Sequence, residues 1–379
     1  MTPQRPQGAD AFPNAEVVSR GRARPVESSG TQKKAEPAPL YAALDLGTNS
    51  CRMLIARPKG SQFSVVDSFS KTVQLGAGLE SSGRLSRASM GRTVQALRIC
   101  QKKLEAHGVR RMRLVATEAC RRASNSREFM RTIRRETGLS LEVIPAEEEA
   151  RLAVVSCAPL VQPKTEQLLV VDIGGGSTEL VWLDLTELEP AERPAALMRF
   201  SMNFKRTGTQ PEPRVVDWIS VPLGVATLRE QFGDVESDSA RFALMSWFFE
   251  EQLANFSPYS AQQKREGFQI IGTSGTITTV AASWLGLRRY DRTKVDGLLM
   301  TSAQIDTVIK DYLSLGPEGR RTDPRIGRDR HALIMSGAAI LQALMRCWPT
   351  DRLSVADRGL REGLLFAQMS ADGVLEHGL

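Results

Sequence analysis

Two segments of this sequence repeat one pattern, in which an apolar strand leads to an aspartate, a glycine turn, a serine and a second apolar strand. The clearer copy runs from Leu168 to Trp182, and the other runs from Tyr41 to Ile55. The apolar run before the turn is typical of a strand that is buried on both faces. The repetition predicts a duplicated domain with two similar loops that face one cleft. The corresponding residues are Asp45 and Asp172, Gly47 and Gly174, and Ser50 and Ser177.

Both turns have the composition of a phosphate-binding loop. Because glycine lacks a Cβ atom, backbone N–H groups can approach an anion closely and form a concave anion site. Taken alone, the glycines at 174–176 suit a plain hairpin turn equally well, and the second copy of the pattern favours the phosphate loop. Asp172 and Glu179 lie on the two arms of this turn. A carboxylate beside a phosphate is repelled unless a cation lies between them, so the same stretch predicts Mg²⁺.

The composition is that of a globular protein with room for two domains. The chain has 379 residues, of which 41% are hydrophobic and 25% are charged. No apolar run approaches the roughly 18 residues that span a membrane, so we expect no membrane partner. Five scattered cysteines without a CxxC pair predict a reducing, cytoplasmic location, and three histidines exclude a His-rich metal centre. The net charge of +7 suits an anionic substrate.

The hydrophobic periodicity predicts one order of elements that occurs twice. Residues 1–39 are rich in Pro, Gly, Ser, Gln and charge, and they predict a disordered tail. From Leu40 the order is β-β-β-α-β-α, and it restarts at Leu168. Hairpins followed by strands that are joined through helices predict an α/β protein with mixed sheets.

A third loop of small residues, Gly272–Thr276, follows a predicted strand and opens a helix. Ser274 and Gly275 would then turn backbone N–H groups and the positive end of a helix dipole toward an anion. An ordinary serine N-cap is the alternative interpretation.

Three consecutive glutamates, Glu147–Glu149, lie in the first turn of a predicted helix. Acidic residues at this position commonly stabilise the helix dipole. The functional alternative is that one of them faces the cleft and orients or deprotonates a water molecule.

Arginines cluster within residues 121–135, 288–294 and 320–330. Such clusters are usually solvated faces, although arginine also makes forked contacts with phosphate and three clusters would suit a polyanion. Aromatic residues are only 6% of the chain, and few of them lie among these arginines. A row of stacking platforms for nucleic acid is therefore not evident, and we predict no specific nucleic-acid partner.

These segments resemble, in their order along the chain, the exopolyphosphatase/guanosine pentaphosphate phosphohydrolase family of the sugar kinase–Hsp70–actin superfamily. Besides the two hairpins and the third loop, the matching motifs are ATEACRRASN, IPAEEEARL, VPLGVATL and SVADRGLREGLL. The resemblance covers about residues 40–370. It implies two duplicated actin-like (ribonuclease H-like) domains around an interdomain cleft, at 40–147 and 148–357. It also implies that a C-terminal helix, about 358–375, packs back on the first domain, as in the short two-domain members of the family.

The resemblance implies release of terminal phosphate from polyphosphate or of the 5′ γ-phosphate from guanosine pentaphosphate, with Mg²⁺ and as a homodimer. Glu149 would be the base that activates water, and Glu179 would be the second catalytic carboxylate, sharing the metal with Asp172. Arg52 receives no role. The residues expected to bind phosphate are Asp45, Gly47, Thr48, Asn49, Ser50, Arg121, Gly174, Gly175, Gly176, Ser177, Ser274 and Gly275.

Two other functions fit the same fold. An ATP-dependent kinase or ATPase would produce ADP in the presence of an acceptor. A non-catalytic sensor of an alarmone nucleotide would bind the nucleotide tightly and release no phosphate. Fold alone does not separate these functions.

Overall fold

The computed structural model describes residues 38–202, 211–260, 267–327 and 330–375. The tail predicted for residues 1–39 lies outside these ranges except for its last two residues. None of the helices within these ranges has both the length and the apolar character that crossing a membrane requires.

A mixed five-stranded sheet forms the first part of the chain. Its strands are β1 (Tyr41–Leu46), β2 (Ser50–Lys59), β3 (Gln62–Thr72), β4 (Arg111–Ala116) and β5 (Glu142–Val143). Their order is β3-β2-β1-β4-β5, with antiparallel pairs among β1, β2 and β3 and parallel pairs from β1 to β4 and from β4 to β5. The accompanying helices are α1 (Leu79–Ser82), α2 (Arg87–Ala106), α3 (Glu118–Arg122) and α4 (Ser126–Thr137).

A mixed six-stranded sheet forms the rest. Its strands are β6 (Gln167–Ile173), β7 (Thr178–Asp184), β8 (Arg214–Val221), β9 (Phe268–Thr273), β10 (Leu299–Met300) and β11 (Leu353–Ala356), in the order β10-β11-β9-β6-β7-β8. The helices are α5 (Ala146–Cys157), α6 (Arg193–Met198), α7 (Val225–Gln231), α8 (Asp238–Glu251), α9 (Gly275–Trp284), α10 (Arg292–Val295), α11 (Ser302–Thr322), α12 (Ile334–Cys347) and α13 (Leu360–Ala371). Two short 3-10 helices span Ala158–Leu160 and Ser257–Ser260.

The two sheets share one connection pattern. In each, three consecutive antiparallel strands are followed by two parallel strands on the other side of the first strand. The order β8-β7-β6-β9-β11 thus repeats β3-β2-β1-β4-β5, and β10 is added antiparallel at the edge. The predicted α/β class with two duplicated mixed sheets is confirmed.

Helices α5 and α13 pack between the two sheets. Leu152 of α5 shares a core with Leu360 and Leu364 of α13 and with the inner face of β1. Ala150 and Val154, on the other side of α5, join the core beneath β6 and β7. The predicted domain boundary between residues 147 and 148 falls inside α5, and the division into domains stays a prediction.

Gly363 of α13 allows this close approach of the two helices. A Cβ atom at position 363 would lie 2.2 Å from the carbonyl oxygen of Leu152. We therefore expect Gly363→Ala to lower the free energy of unfolding by about 1–3 kcal/mol, because the helices must separate.

Gly91→Ala is the control: Gly91 lies on the exposed face of α2, with no atom near the added methyl group. It should raise stability by about 0.5–1 kcal/mol through helix propensity. Denaturant unfolding measures both, and a neutral Gly363→Ala would contradict this packing.

No helix or strand was predicted between residues 280 and 329, where α10, β10 and α11 lie. Helix α11 begins with a capping box, in which the Thr301 and Gln304 side chains bond to each other's backbone N–H groups. Its pattern is interrupted at Gly316 and Pro317, where the backbone leaves helical geometry. Gly-Pro normally indicates a loop, so this kink conceals the helix. Helix α3 was also missed, since five residues are too few to show a period.

Candidate active site

Both glycine loops line one cavity of about 190 Å³. The cavity lies at the carboxyl ends of β1, β4, β6, β9 and β11, which is where ligands bind in open α/β sheets. Of the residues predicted from the sequence, those lining it are Asp45, Gly47, Thr48, Asn49, Ser50, Glu149, Asp172, Gly174, Gly175, Gly176, Ser177, Ser274 and Gly275. Glu179 and Arg121 do not line it, but they contact residues that do.

The two loops have the same turn and touch each other. The Gly47 N–H donates to the Ser50 carbonyl at 3.0 Å, and the Gly174 N–H donates to the Ser177 carbonyl at 2.9 Å. A Cβ atom on Gly175 would lie 3.1 Å from the backbone nitrogen of Asn49. The absence of a side chain at Gly175 therefore brings the two backbones together.

Helix α7 holds the second loop in place. The Val225 N–H donates to the Gly174 carbonyl at 3.0 Å, and the Ala226 N–H donates to the Gly175 carbonyl at 2.8 Å. In a trans peptide the carbonyl and the next N–H point in opposite directions. The N–H groups of Gly175 and Gly176 therefore point away from α7, and within the described residues neither donates to a protein atom.

Four carboxylates surround these loops, of which Glu149 and Glu179 are buried and Asp45 and Asp172 are half-buried. Asp172 and Glu179 are directly opposite each other on β6 and β7. Burial and the charges of Glu149 and Asp45 raise the pKa of Asp172 to about 8. Burial and Asp172 raise the pKa of Glu179 to about 7, although Glu179 accepts a 2.8 Å hydrogen bond from Ser220. Burial also raises the pKa of Asp45. The site thus concentrates more negative charge than its protein surroundings neutralise.

The three consecutive glutamates have three different environments. Glu147 is exposed, and Glu148 pairs with Arg113 and Arg151. Glu149 is buried and lines the cavity, where its Oε2 accepts a 2.7 Å hydrogen bond from Arg121 Nη1. Burial and the charge of Glu179 raise the pKa of Glu149 well above its ordinary value. Of the three, only Glu149 has the placement of a cleft carboxylate.

The third loop both caps helix α9 and lines the cavity. Ser274 Oγ accepts from the Ile277 N–H at 2.9 Å, which makes Ser274 the N-cap of α9. Ser274 and Gly275 also line the cavity, and Arg330 Nη1 donates to the Gly275 carbonyl at 2.8 Å.

Sequence reasoning missed several charged residues of the cavity. Arg52, which received no role, lies in its lining, and its Nε atom is buried without a hydrogen-bond partner in the described part of the chain. Burial and the nearby charge of Arg361, followed by that of Arg330, lower the pKa of Arg52. Glu118 also lines the cavity. The strand alternation of β2 would have placed Arg52 on the same face as Ser50, beside the first loop.

A family model matches residues 54–371, and it is described as the Ppx/GppA phosphatase family. The chain belongs to this family. The resemblance found in the sequence motifs is therefore confirmed.

The curated relatives that this chain matches are longer than the chain itself. A protein of Aeromonas salmonicida, named guanosine-5′-triphosphate,3′-diphosphate pyrophosphatase, is 28% identical to this chain over 336 residues. The aligned region covers 87% of this chain and 59% of that protein. The chain thus spans about three-fifths of the length of the curated relatives that it matches.

Solved structures of the Ppx/GppA family share the fold. The crystal structure of the Aquifex aeolicus family member superposes with a TM-score of 0.69 at 29% identity, covering 89% of this chain and 99% of that one. An exopolyphosphatase from Cytophaga hutchinsonii gives a TM-score of 0.71 at 21% identity, covering 90% of this chain and 100% of that one. At 21% identity, the similarity to the Cytophaga hutchinsonii protein shows only that the two share a fold.

Proposed function

We propose that this protein is a phosphohydrolase that releases terminal orthophosphate from inorganic polyphosphate and the 5′ γ-phosphate from guanosine pentaphosphate. The observation that carries the proposal is the position of Glu149, a buried carboxylate that lines the same cavity as both glycine loops. A carboxylate in this position suits the orientation of a water molecule toward a phosphoryl group held by the loops. Family membership and the name of the Aeromonas relative support the same reaction class.

Unsatisfied polar groups in the cavity support an anionic ligand. Among the described residues, three buried side-chain atoms lack a hydrogen-bond partner, and two of them, Thr48 Oγ1 and Arg52 Nε, belong to the cavity lining. Buried polar groups without partners are costly, so a ligand that accepts from them would stabilise the site. The clustering of Arg52 with Arg330 and Arg361 favours several phosphate oxygens over one neutral group.

The carboxylates fit Mg²⁺ bound together with substrate. Within the described ranges, no three His, Cys, Asp or Glu side chains form a complete protein site for a metal. Mg²⁺ commonly binds through one or two carboxylates, several waters and substrate phosphates, so it does not need such a site. Asp172, which is half-buried, and Glu179, which is buried, face each other and both have raised pKa values. We propose that they hold the ion. When bound, Mg²⁺ would offset the negative charge that develops on the transferred phosphoryl group.

The chain's own groups would perform the remaining steps. The free N–H groups of Gly175 and Gly176 would hold oxygens of the terminal phosphoryl group. Glu149 would orient a water molecule in line with the bond that breaks and would accept its proton. The water oxygen would form a bond to the terminal phosphorus while the bond from that phosphorus to the bridging oxygen breaks, and the bridging oxygen would leave with the shortened polyphosphate or the nucleotide.

A comparison of the two substrates tests this function. Purified protein with Mg²⁺ should release orthophosphate from polyphosphate and from guanosine pentaphosphate, measured at matched Mg²⁺ and salt concentrations because charge-driven affinity depends on both. Release from only one substrate would assign the preference. No release from either, or ADP formation with an acceptor, would contradict the proposal.

The proposed ion also predicts how stability depends on pH. The pKa of Asp172 is raised from 3.8 to about 8, so between these values the folded state binds more protons than the unfolded state. Stability without Mg²⁺ should therefore fall as the pH rises from about 4 to about 8. Asp172→Asn should make this fall shallower. In the presence of orthophosphate, which stands in for the terminal phosphoryl group, Mg²⁺ should raise the melting temperature of the wild type more at pH 8 than at pH 5. Thermal unfolding measures all three effects, and a wild-type melting temperature that does not change with Mg²⁺ and orthophosphate at pH 8 would contradict the ion site.

We also propose a cytoplasmic location and a homodimer. All five cysteines are free and buried, which suits a reducing compartment. The homodimer rests on the family resemblance, and light scattering of the purified chain checks it.

A further inference from the structure

We propose that Glu118 is a positioning residue for the reaction, acting through Arg121 on Glu149. This inference rests on the proposed function, because it takes Glu149 as the group that orients water. Glu118 is the first residue of α3, is 9% exposed and lines the cavity. Nothing in the sequence motifs assigned it a role.

Glu118 holds one edge of the Arg121 guanidinium group. Arg121 Nε and Nη2 donate to Glu118 Oε2 at 3.0 and 2.9 Å. On the opposite edge, Nη1 donates to Glu149 Oε2 at 2.7 Å and to the Ile144 carbonyl at 3.1 Å. The guanidinium group is planar, so fixing the first edge also fixes the direction of Nη1. Glu118 thereby determines where Arg121 holds the carboxylate of Glu149.

Glu118 is itself held from two sides. A Cβ atom on Gly176 would lie 3.0 Å from Glu118 Cγ, so the stem of Glu118 packs against the second glycine loop. Its other oxygen, Oε1, lies 3.9 Å from Arg122 Nε, and Arg122 forms a two-pronged ion pair with Glu80. Through Arg121 and Glu118, the position of Glu149 is thus fixed relative to the same loop that would hold the phosphate.

An ion pair between Glu118 and Arg121 that served only stability would not explain why Arg121 also contacts Glu149. Four of the five N–H donors of Arg121 have protein acceptors, and two of those acceptors are carboxylates that line the cavity. Without Glu118, Arg121 would turn toward Glu149 alone or toward a bound phosphate. The carboxylate would then lose its fixed direction, and turnover would fall although the substrate could still bind.

Steady-state kinetics of substitutions at residue 118 test this role. Glu118→Ala should lower kcat by about 10- to 100-fold, the usual cost of removing a partner that orients a catalytic group, with little change in KM. Glu118→Gln should keep most of kcat, because its amide oxygen accepts from the same donors. The matched control is Glu136→Gln, which alters an arginine-paired carboxylate on α4 whose partners are Arg98 and Arg135, and it should behave as the wild type.

A double substitution separates positioning from a general loss of structure. If Glu118 acts through Arg121, Glu118→Ala with Arg121→Ala should be no slower than Arg121→Ala alone. Additive losses, or a wild-type kcat in Glu118→Ala, would overturn the inference while leaving the proposed function intact.

Crystal structures of the two variants give a readout that does not depend on turnover. The Arg121 guanidinium group should keep its present orientation, with Nη1 on Glu149, in Glu118→Gln and should rotate out of that orientation in Glu118→Ala. An unmoved Arg121 in Glu118→Ala would overturn the positioning role. Absence of phosphate release from the wild type would instead contradict the proposed function.

Discussion

Replacing Glu149 by glutamine is expected to lower kcat for phosphate release by about 10²–10⁴, the usual contribution of a positioned acid or base. Glutamine has the same shape, and its amide oxygen can still accept from Arg121. It cannot take a proton from water, and it attracts the water's hydrogens less strongly than a carboxylate. Steady-state release of orthophosphate with saturating polyphosphate measures the effect.

This loss should not come from unfolding. Burial and the charge of Glu179 raise the pKa of Glu149, so the ionised carboxylate is unfavourable in the folded protein. The melting temperature of Glu149→Gln at neutral pH should therefore equal or exceed that of the wild type. Glu147→Gln, on the exposed side of the same helical turn, is the matched control and should keep wild-type turnover. A Glu149→Gln protein with more than one-tenth of wild-type kcat would remove Glu149 from its proposed role.

Substitution of Gly224 by alanine should also reduce turnover, by about 10²-fold or more. A Cβ atom at position 224 would lie 2.5 Å from the Gly174 carbonyl oxygen and 2.6 Å from the Gly176 nitrogen. Both are backbone atoms, so the second loop must move away from α7. Loss of one oriented donor typically costs about 10²–10³ in rate, and this movement affects the N–H groups of both Gly175 and Gly176.

Gly233→Ala, just beyond the other end of α7, is the control for Gly224→Ala. At position 233 the closest contact of an added Cβ is 3.3 Å, to the Glu230 carbonyl oxygen. We expect a small change in stability and unchanged turnover. Circular dichroism and kcat should be measured together on both variants, since a folded Gly224→Ala protein with full activity would show that α7 does not set the loop.

The fold was predictable from the sequence because it rests on local patterns that occur twice. The hairpins around Asp45 and Asp172 carry continuous apolar arms, and those arms form the paired strands β1–β2 and β6–β7. Helix α11 was not predictable in the same way, because Gly316 and Pro317 interrupt its periodicity. Its second half is joined to α8 by the ion pair between Arg320 and Asp238, a contact that local sequence does not show.

The candidate site was predictable only where its residues lie in motifs. Glu149 could be named as one of three adjacent glutamates, but the choice among them depends on burial, which follows from how α5 packs between the sheets. Arg52, Glu118 and Arg330 come from separate parts of the chain and converge only after folding. No spacing in the sequence relates the three to one another, although the alternation of β2 indicates that Arg52 lies beside the first loop. The pairing of Arg121 with Glu118 and Glu149 was not predictable from the sequence either, and Arg121 was expected only to bind phosphate.

The position of α13 has a consequence for how the polypeptide is made. The last described helix covers the inner face of β1, which is the first described strand, and the Tyr41 hydroxyl donates to an Asp372 carboxylate oxygen at 2.7 Å across that join. A nascent chain that has been synthesised only to about residue 357 therefore still exposes the apolar surface that Leu364, Leu365 and Met369 will cover. Completion of this layer must wait until α13 has been synthesised, so the first sheet needs protection from aggregation until then.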